Sequence, residues 1–318
     1  MNMDSINNTA LTNSTVKEDH GIEIPSSVAI FNVVLAEVTA IAILIVNIIT
    51  IVTISKIQQL QTMANKLFMN LSFADTILGL SLLYCSVRLF APGLKYTNNN
   101  EEKSSCLTCQ FLLQVSASIS FLTFALIAFD RFIVVMYPLK YVQIITDKRL
   151  YSGIFIVWMY GIGSNIILVV FNEYPPYSTE CTSLNFANRG LYYTLIIGIA
   201  VLVTIFSTIL YSRLFYVAWK QAKQIKAIEQ GVSGQDNTVD DKRLTKTMVI
   251  VFGVLYICYA PFLLTSMLRK PPFKLWFEIL HTYCKLFVFC NSFLNAILYT
   301  WRNKEFRQSI IKVFRQKQ

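Results

Sequence analysis

The sequence predicts an all-α membrane protein, a seven-transmembrane helix bundle with a short amphipathic eighth helix, on three observations. The 318 residues are 54% hydrophobic and only 14% charged, whereas a soluble domain carries about a quarter charged residues. Seven apolar segments are long enough for the ~20 residues that a helix needs to cross a bilayer. Most of the Lys and Arg behind the net charge of +10 lie in one set of the connecting segments. That asymmetry is the positive-inside pattern of a polytopic membrane protein, and it explains the charge without nucleic acid as a partner.

The same reading excludes other classes. Seven cysteines are too few for a disulfide scaffold in a chain this long, and the single C-x-x-C, Cys106 to Cys109, has no second pair to make a zinc site. His20 and His281 stand too far apart for an ordinary metal or triad site. No Gly-rich phosphate loop is present. Nothing supports an enzyme or a resident organic cofactor.

In chain order, residues 1–26 form a polar tail with two N-glycosylation sequons, at Asn7 and Asn13, which the charge asymmetry places outside. No basic stretch precedes an apolar run at the N-terminus, so the first span is expected to act as its own signal. Residues 27–301 hold the bundle. The first span, 27–55, carries Asn47, and a short basic loop from Lys56 to Lys66 leads to the second, 67–90, which carries Asp75. The third, 107–129, has no formal charge and ends in Asp130 and Arg131. The fourth, 150–171, has Trp158 near its middle; the polar segment 172–188 holds Pro175, Pro176 and Cys181.

The fifth span is expected at 190–218, and Lys220 to Lys246, with Gly231 and Gly234, reads as a flexible loop. The sixth, 244–268, contains Pro261, which removes a backbone hydrogen bond and kinks a membrane helix. The seventh runs from 273 to 301. Residues 302–318 then place Phe306, Ile310, Val313 and Phe314 at helical spacing against a basic face, the pattern of a helix lying on the lipid surface. No Cys follows to accept a palmitoyl chain.

Asp130 and Arg131 are costly facing lipid and tolerable only if they satisfy each other beside a water-filled cavity. Asp130-Arg131-Phe132, on a helix opened by Cys106 and followed by Tyr137-Pro138-Leu139, resembles the third helix of rhodopsin-like (class A) G-protein-coupled receptors. The resemblance covers nearly the whole chain. It implies a plasma-membrane receptor with its N-terminus outside, an extracellular ligand and a heterotrimeric G protein as partner. It also implies a sodium and water pocket formed by Asn47, Asp75, Ser120, Asn291, Ser292 and Asn295, with Asp75 as the charged ligand. Read without the family, these residues are interhelical hydrogen-bond glue.

For coupling, the resemblance assigns Arg131 as the switch, Tyr211 and Tyr299 as the tyrosines that reach towards it on activation, and Pro261 as the pivot of the sixth helix. Asp241 is either the acid of an inter-helix lock or simply an N-terminal helix charge favoured by the macrodipole. Several positions depart from the family pattern: Phe132 stands for Tyr, Ala296 for the Pro after Asn295, Val203 for a fifth-helix Pro, and Tyr259 for the Trp before Pro261. The missing fifth-helix proline resembles melanocortin and cannabinoid receptors, and the segments after Tyr137 and Trp301 resemble odorant and adenosine receptors, so subfamily stays open. An atypical or chemosensory receptor is the alternative; a transporter is disfavoured because no internal repeat is visible.

The family disulfide joins the second outer loop to the third helix, through Cys181 and either Cys106 or Cys109. Cys85, Cys258, Cys284 and Cys290 read as small buried apolar residues. The ligand pocket implied by the resemblance is lined by Arg88, Gln110, Leu113, Gln114, Ala117, Tyr259, Phe262, Ser266, His281, Lys285 and Phe289. Leu113 stands where amine receptors have their Asp, and Phe289 where opsins have their Lys. Lys285 meets an anionic or zwitterionic ligand, pairs with Glu37, or snorkels outward as long basic side chains do.

Overall fold

The computed structural model describes residues 25–90, 99–173, 188–228, 238–268, 274–302 and 304–315. Within them lie seven long helices. They are α1 (Ser26–Lys56), α2 (Met63–Phe90), α3 (Asn99–Met136), α4 (Asp147–Val170), α5, α6 (Thr238–Leu268) and α7 (Leu275–Arg302), with the shorter α8 (Lys304–Arg315) behind them. α5 runs from Arg189–Tyr192 through a π-helical stretch, Tyr193–Gly198, into Ile199–Ile228. Together the seven form the membrane bundle. α1 packs on α2 and α7, and α6 packs on α7. α3 touches α2, α4, α5 and α6, so it is the centre of the arrangement.

Helices α1 to α5 are each long and apolar enough to cross a bilayer. The outward faces of α1, α4 and α5 expose large apolar side chains such as Ile30, Phe155 and Leu202. Contiguous exposure of this kind marks a surface that belongs against another apolar phase, here lipid. The largest buried cluster sits at one end of the bundle, around Leu71, Phe124, Ile127, Leu214, Tyr299 and Phe306. This is called the Arg131 end, and the opposite one the Cys106 end.

Sequence patterning located every span but shortened most of them. α3 begins at Asn99 and not near 107, α2 at Met63, and α6 at Thr238. The stretch read as a loop from Lys220 is helical up to Ile228, and Gly231 and Gly234 lie outside the described residues. The reason is physical: hydropathy reports the part of a helix that meets hydrocarbon, whereas polar turns beyond it continue the same backbone hydrogen bonding. Local caps fix some of the true ends. Thr146 accepts a hydrogen bond from the Arg149 amide at the start of α4 (3.4 Å), and Thr62 accepts from the Asn65 amide at the start of α2 (3.3 Å).

α8 meets the amphipathic expectation. Phe306, Ser309 and Val313 are buried, while Arg307, Gln308 and Lys312 are exposed. Phe306 anchors it by packing edge-on against Tyr299 of α7, with ring centroids 5.3 Å apart.

Candidate functional site

Two buried polar centres lie along α3. The first is Asp75 of α2, 1% exposed. Its Oδ1 accepts from Ser120 of α3 at 2.9 Å and from Ser292 of α7 at 2.8 Å. Asn47 of α1 donates to the backbone carbonyls of Ile43 (2.9 Å) and Ser292 (3.2 Å), so it fastens α1 to α7 beside the acid. α2, α3 and α7 therefore meet on one carboxylate, and α1 is tied in beside it.

What remains is a set of polar atoms, mostly oxygen, without work to do. Among the described residues, Asp75 Oδ2, Asn291 Oδ1 and both side-chain polar atoms of Asn295 are buried without a hydrogen-bond partner of normal geometry, although the Asn295 side chain lies close enough to Asp75 to interact with it. Unpaired buried polar atoms are costly, and a native structure rarely keeps several together without an ion or water between them. One carboxylate oxygen with neutral carbonyl and hydroxyl oxygens is the donor set of a hard cation. The residues present therefore fit a sodium ion.

The second centre is Arg131, 4% exposed. Its Nε and Nη2 both donate to Asp130 Oδ2, at 2.8 and 2.5 Å. Asp130 Oδ1 accepts from the Tyr141 hydroxyl at 2.8 Å, from the short helix Tyr141–Ile144 that follows α3. Both carboxylate oxygens are thus engaged, and the guanidinium is neutralised within its own helix. Phe132 packs on the large cluster and Tyr211 lies buried in it. Asp241 falls in the first turn of α6, but its side chain lies outside the described residues, so the choice between lock and helix charge stays where the sequence left it.

Tyr299 is occupied elsewhere. Its hydroxyl donates to Asn65 Oδ1, whose amide in turn donates to the Leu60 carbonyl at 2.9 Å. The ring stacks on Phe68, 4.0 Å between centroids. Asn65 was invisible as a partner in the sequence, as was Asn70, which donates to Thr123 (2.8 Å) and accepts from Trp158 Nε1 (2.8 Å) to join α2, α3 and α4. The only available signal was a polar amide on an otherwise apolar face.

The Cys106 end assembles part of the expected ligand pocket. Phe262 of α6 stacks on His281 of α7, centroids 5.3 Å apart, and His281 Nδ1 hydrogen-bonds Thr265 Oγ1 at 3.1 Å. Thr265, and not the expected Ser266, meets α7; both hydroxyls bond back to carbonyls of their own helix, Thr265 to Pro261 (2.9 Å) and Ser266 to Phe262 (2.7 Å), but only Thr265 also reaches His281. Gln114 hydrogen-bonds Tyr192 of α5. Tyr259 packs against Phe121, Gln110 is buried, and Ala117, Lys285 and Phe289 are half-buried. Pro261 is internal to α6. Glu37 accepts from Ser86 at 3.1 Å. The Arg88 side chain, Asn7 and Asn13 lie outside the described residues.

Here the structure corrects the cysteine reading. Cys85 is not a lone apolar residue but is disulfide-bonded to Cys109, with Cα atoms 5.6 Å apart. That bond removes Cys109 as a candidate partner for the loop cysteine. Cys106 is itself disulfide-bonded, while Cys181 lies outside the described residues. The Cys85–Cys109 bridge joins α2 to α3 and packs among Leu78, Leu113 and Phe289, so it forms part of the pocket wall. Sequence spacing could not reveal a pairing between two helices.

Comparison with known proteins agrees with this architecture. The family model for the seven-transmembrane receptors of the rhodopsin family matches residues 46–299. The chain is similar to the mouse protein named probable G-protein coupled receptor 21, 27% identical over 79% of this chain and 71% of that one. It is also similar to human melanocortin receptor 5, 26% identical over 64% of this chain and 58% of the receptor. Human histamine H2 receptor is 26% identical over 80% of this chain and 71% of its own length. The seven-helix bundle, its acid-centred core and this match lead to one conclusion: the chain is a multi-pass membrane protein belonging to the rhodopsin family of seven-transmembrane receptors.

Proposed function

We propose that this receptor sits in the plasma membrane with the Cys106 end outside, binds an extracellular ligand there, and activates a heterotrimeric G protein at the Arg131 end. The observation that carries the reading is the stored state of Arg131: a buried cation held by Asp130, with Tyr299 held away on Asn65. A buried pair of this sort is expensive to desolvate and adds little stability of its own, so its retention fits a switch better than a brace. Activation would swing α6 about Pro261, release Arg131 and open a groove for a helix of the G protein.

The sodium ion belongs to this proposal as an allosteric ligand of Asp75 that favours the resting packing. On the ligand side, Leu113 packs on the Cys85–Cys109 bridge. Its position therefore supplies no carboxylate for an amine, which sets this pocket apart from an amine receptor's. Lys285, half-buried on α7, is the group that would meet an anionic ligand.

The test is ligand-free nucleotide exchange on several G-protein classes in cells expressing the full chain, with surface expression matched. Signal above background in wild type that Arg131→Ala abolishes is the expected result. Signal that survives Arg131→Ala overturns the assignment of the switch.

A further inference from the structure

The middle of the α5–α6 interface carries a polar device that neither the sequence nor the family match assigns. Tyr256 of α6 reaches across to α5, where its hydroxyl meets Thr208 Oγ1 and lies 3.5 Å from the Thr204 carbonyl. Thr208 already donates its own proton to that same carbonyl at 2.7 Å. With the Thr208 proton on that carbonyl, the Tyr256 hydroxyl is placed to donate to Thr208. In hydrocarbon neither hydroxyl has water to fall back on, so the contact is a tie between the two helices.

Beside it is a gap. A cavity of about 10 Å3 is lined by Phe121, Val203, Thr204, Ser207, Leu255 and Tyr256, among others. Ser207 is 2% exposed, and its Oγ has no hydrogen-bond partner among the described residues. A serine in a membrane helix ordinarily returns its proton to the carbonyl one turn back, as Thr204 and Thr208 both do here. Ser207 departs from that pattern while facing a space large enough for one oxygen atom.

We propose that Tyr256 is a two-position clasp: its hydroxyl rests on Thr208 in the resting packing and transfers to Ser207, in the adjacent cavity, when α6 moves. The geometry explains both anomalies together. Thr208 stands on the lipid-facing side of α5 and Ser207, its neighbour in sequence, is turned inwards, so the Tyr256 hydroxyl passes from one to the other as α6 turns against α5. Val203, on the same wall, keeps the α5 backbone hydrogen-bonded where a proline would break it, which leaves the side-chain clasp to set the α5–α6 spacing.

The test uses the full chain purified in detergent and compares melting of Tyr256→Phe, Thr208→Val and the double variant. Each single change is expected to lower the melting temperature by about 2 °C or more, with the double no worse than the worse single. Additive losses overturn the resting clasp, as does a Tyr256→Phe protein that melts like wild type. Ser207→Ala leaves the resting contact intact and removes a buried hydroxyl without a partner, so its melting temperature is expected to be no lower than that of wild type. It should lower ligand-free G-protein activation at least twofold, measured in wild type and in Asp130→Asn, where freed Arg131 supplies signal. Unchanged signal overturns the second position.

The signalling arm rests on the receptor reading above and the melting arm does not. Silence in every background with a coupled melting cycle would therefore count against coupling while retaining the resting clasp.

Discussion

At Asp130 one oxygen takes Arg131 and the other takes Tyr141. Removing the tyrosine hydroxyl leaves half the carboxylate unengaged and loosens its hold on the cation by about 1 kcal/mol, roughly fivefold in the resting equilibrium. Tyr141→Phe is thus expected to raise ligand-free exchange severalfold at equal surface expression. No change would mean that the Tyr141 bond does not bear on the switch. Asp75 gives a second prediction at the same scale. If its unpaired Oδ2 and the Asn291 oxygen hold sodium, replacing choline chloride by sodium chloride should raise the melting temperature of wild type and leave that of Asp75→Asn unmoved. Equal shifts in both proteins would remove the ion from Asp75. These centres were partly legible in the sequence, because Asp75 and Arg131 are anomalous in an apolar span. Tyr141, Asn65 and Asn70 were not, because one polar residue near a helix end is ordinary, and only the fold shows which acid or hydroxyl it meets.

Helix pairs are set by what their narrowest points allow. α3 and α4 approach closely at Gly161, where an added Cβ would lie 2.7 Å from Ile119 Cγ1. Ile119 is fully buried and β-branched, so its Cγ1 has no free rotamer to retreat into. Gly161→Ala should therefore destabilise by about 1–3 kcal/mol, the usual cost of overpacking. At Gly163, two residues on, an added methyl would meet nothing within 4 Å, and replacement by Ala should be neutral or slightly stabilising through helix propensity. Parallel melting curves of the two variants decide it, and equal losses would show that the α3–α4 contact is not the limit. Span number and order could be read from hydropathy. The Gly161 contact, the π-helical stretch in α5 and the α2–α3 disulfide depend on which faces meet, and periodicity in a helix apolar all round does not tell one face from another.

For the whole molecule, two independent features support the proposed direction in the membrane. The helix ends and connections at the Arg131 end carry Lys56, Lys66, Lys140, Lys148 and Arg149, and α8 continues the basic side beyond α7. At the Cys106 end, Cys85, Cys106 and Cys109 are all disulfide-bonded, which fits an oxidising compartment. Positive charge retained on the cytoplasmic side and disulfides formed on the other point the same way. With seven spans the two termini lie on opposite sides, and the proposed orientation would then put Asn7 and Asn13 outside. Treatment with an N-glycosidase should then shift wild-type mobility on a gel, the double variant Asn7→Gln/Asn13→Gln should not shift, and an N-terminal epitope should be stained on intact cells while a C-terminal one is not. Staining of the C-terminal epitope on intact cells would invert the bundle. It would place Arg131 where no G protein can reach it, so the outcome bears on the coupling proposal as directly as it does on topology.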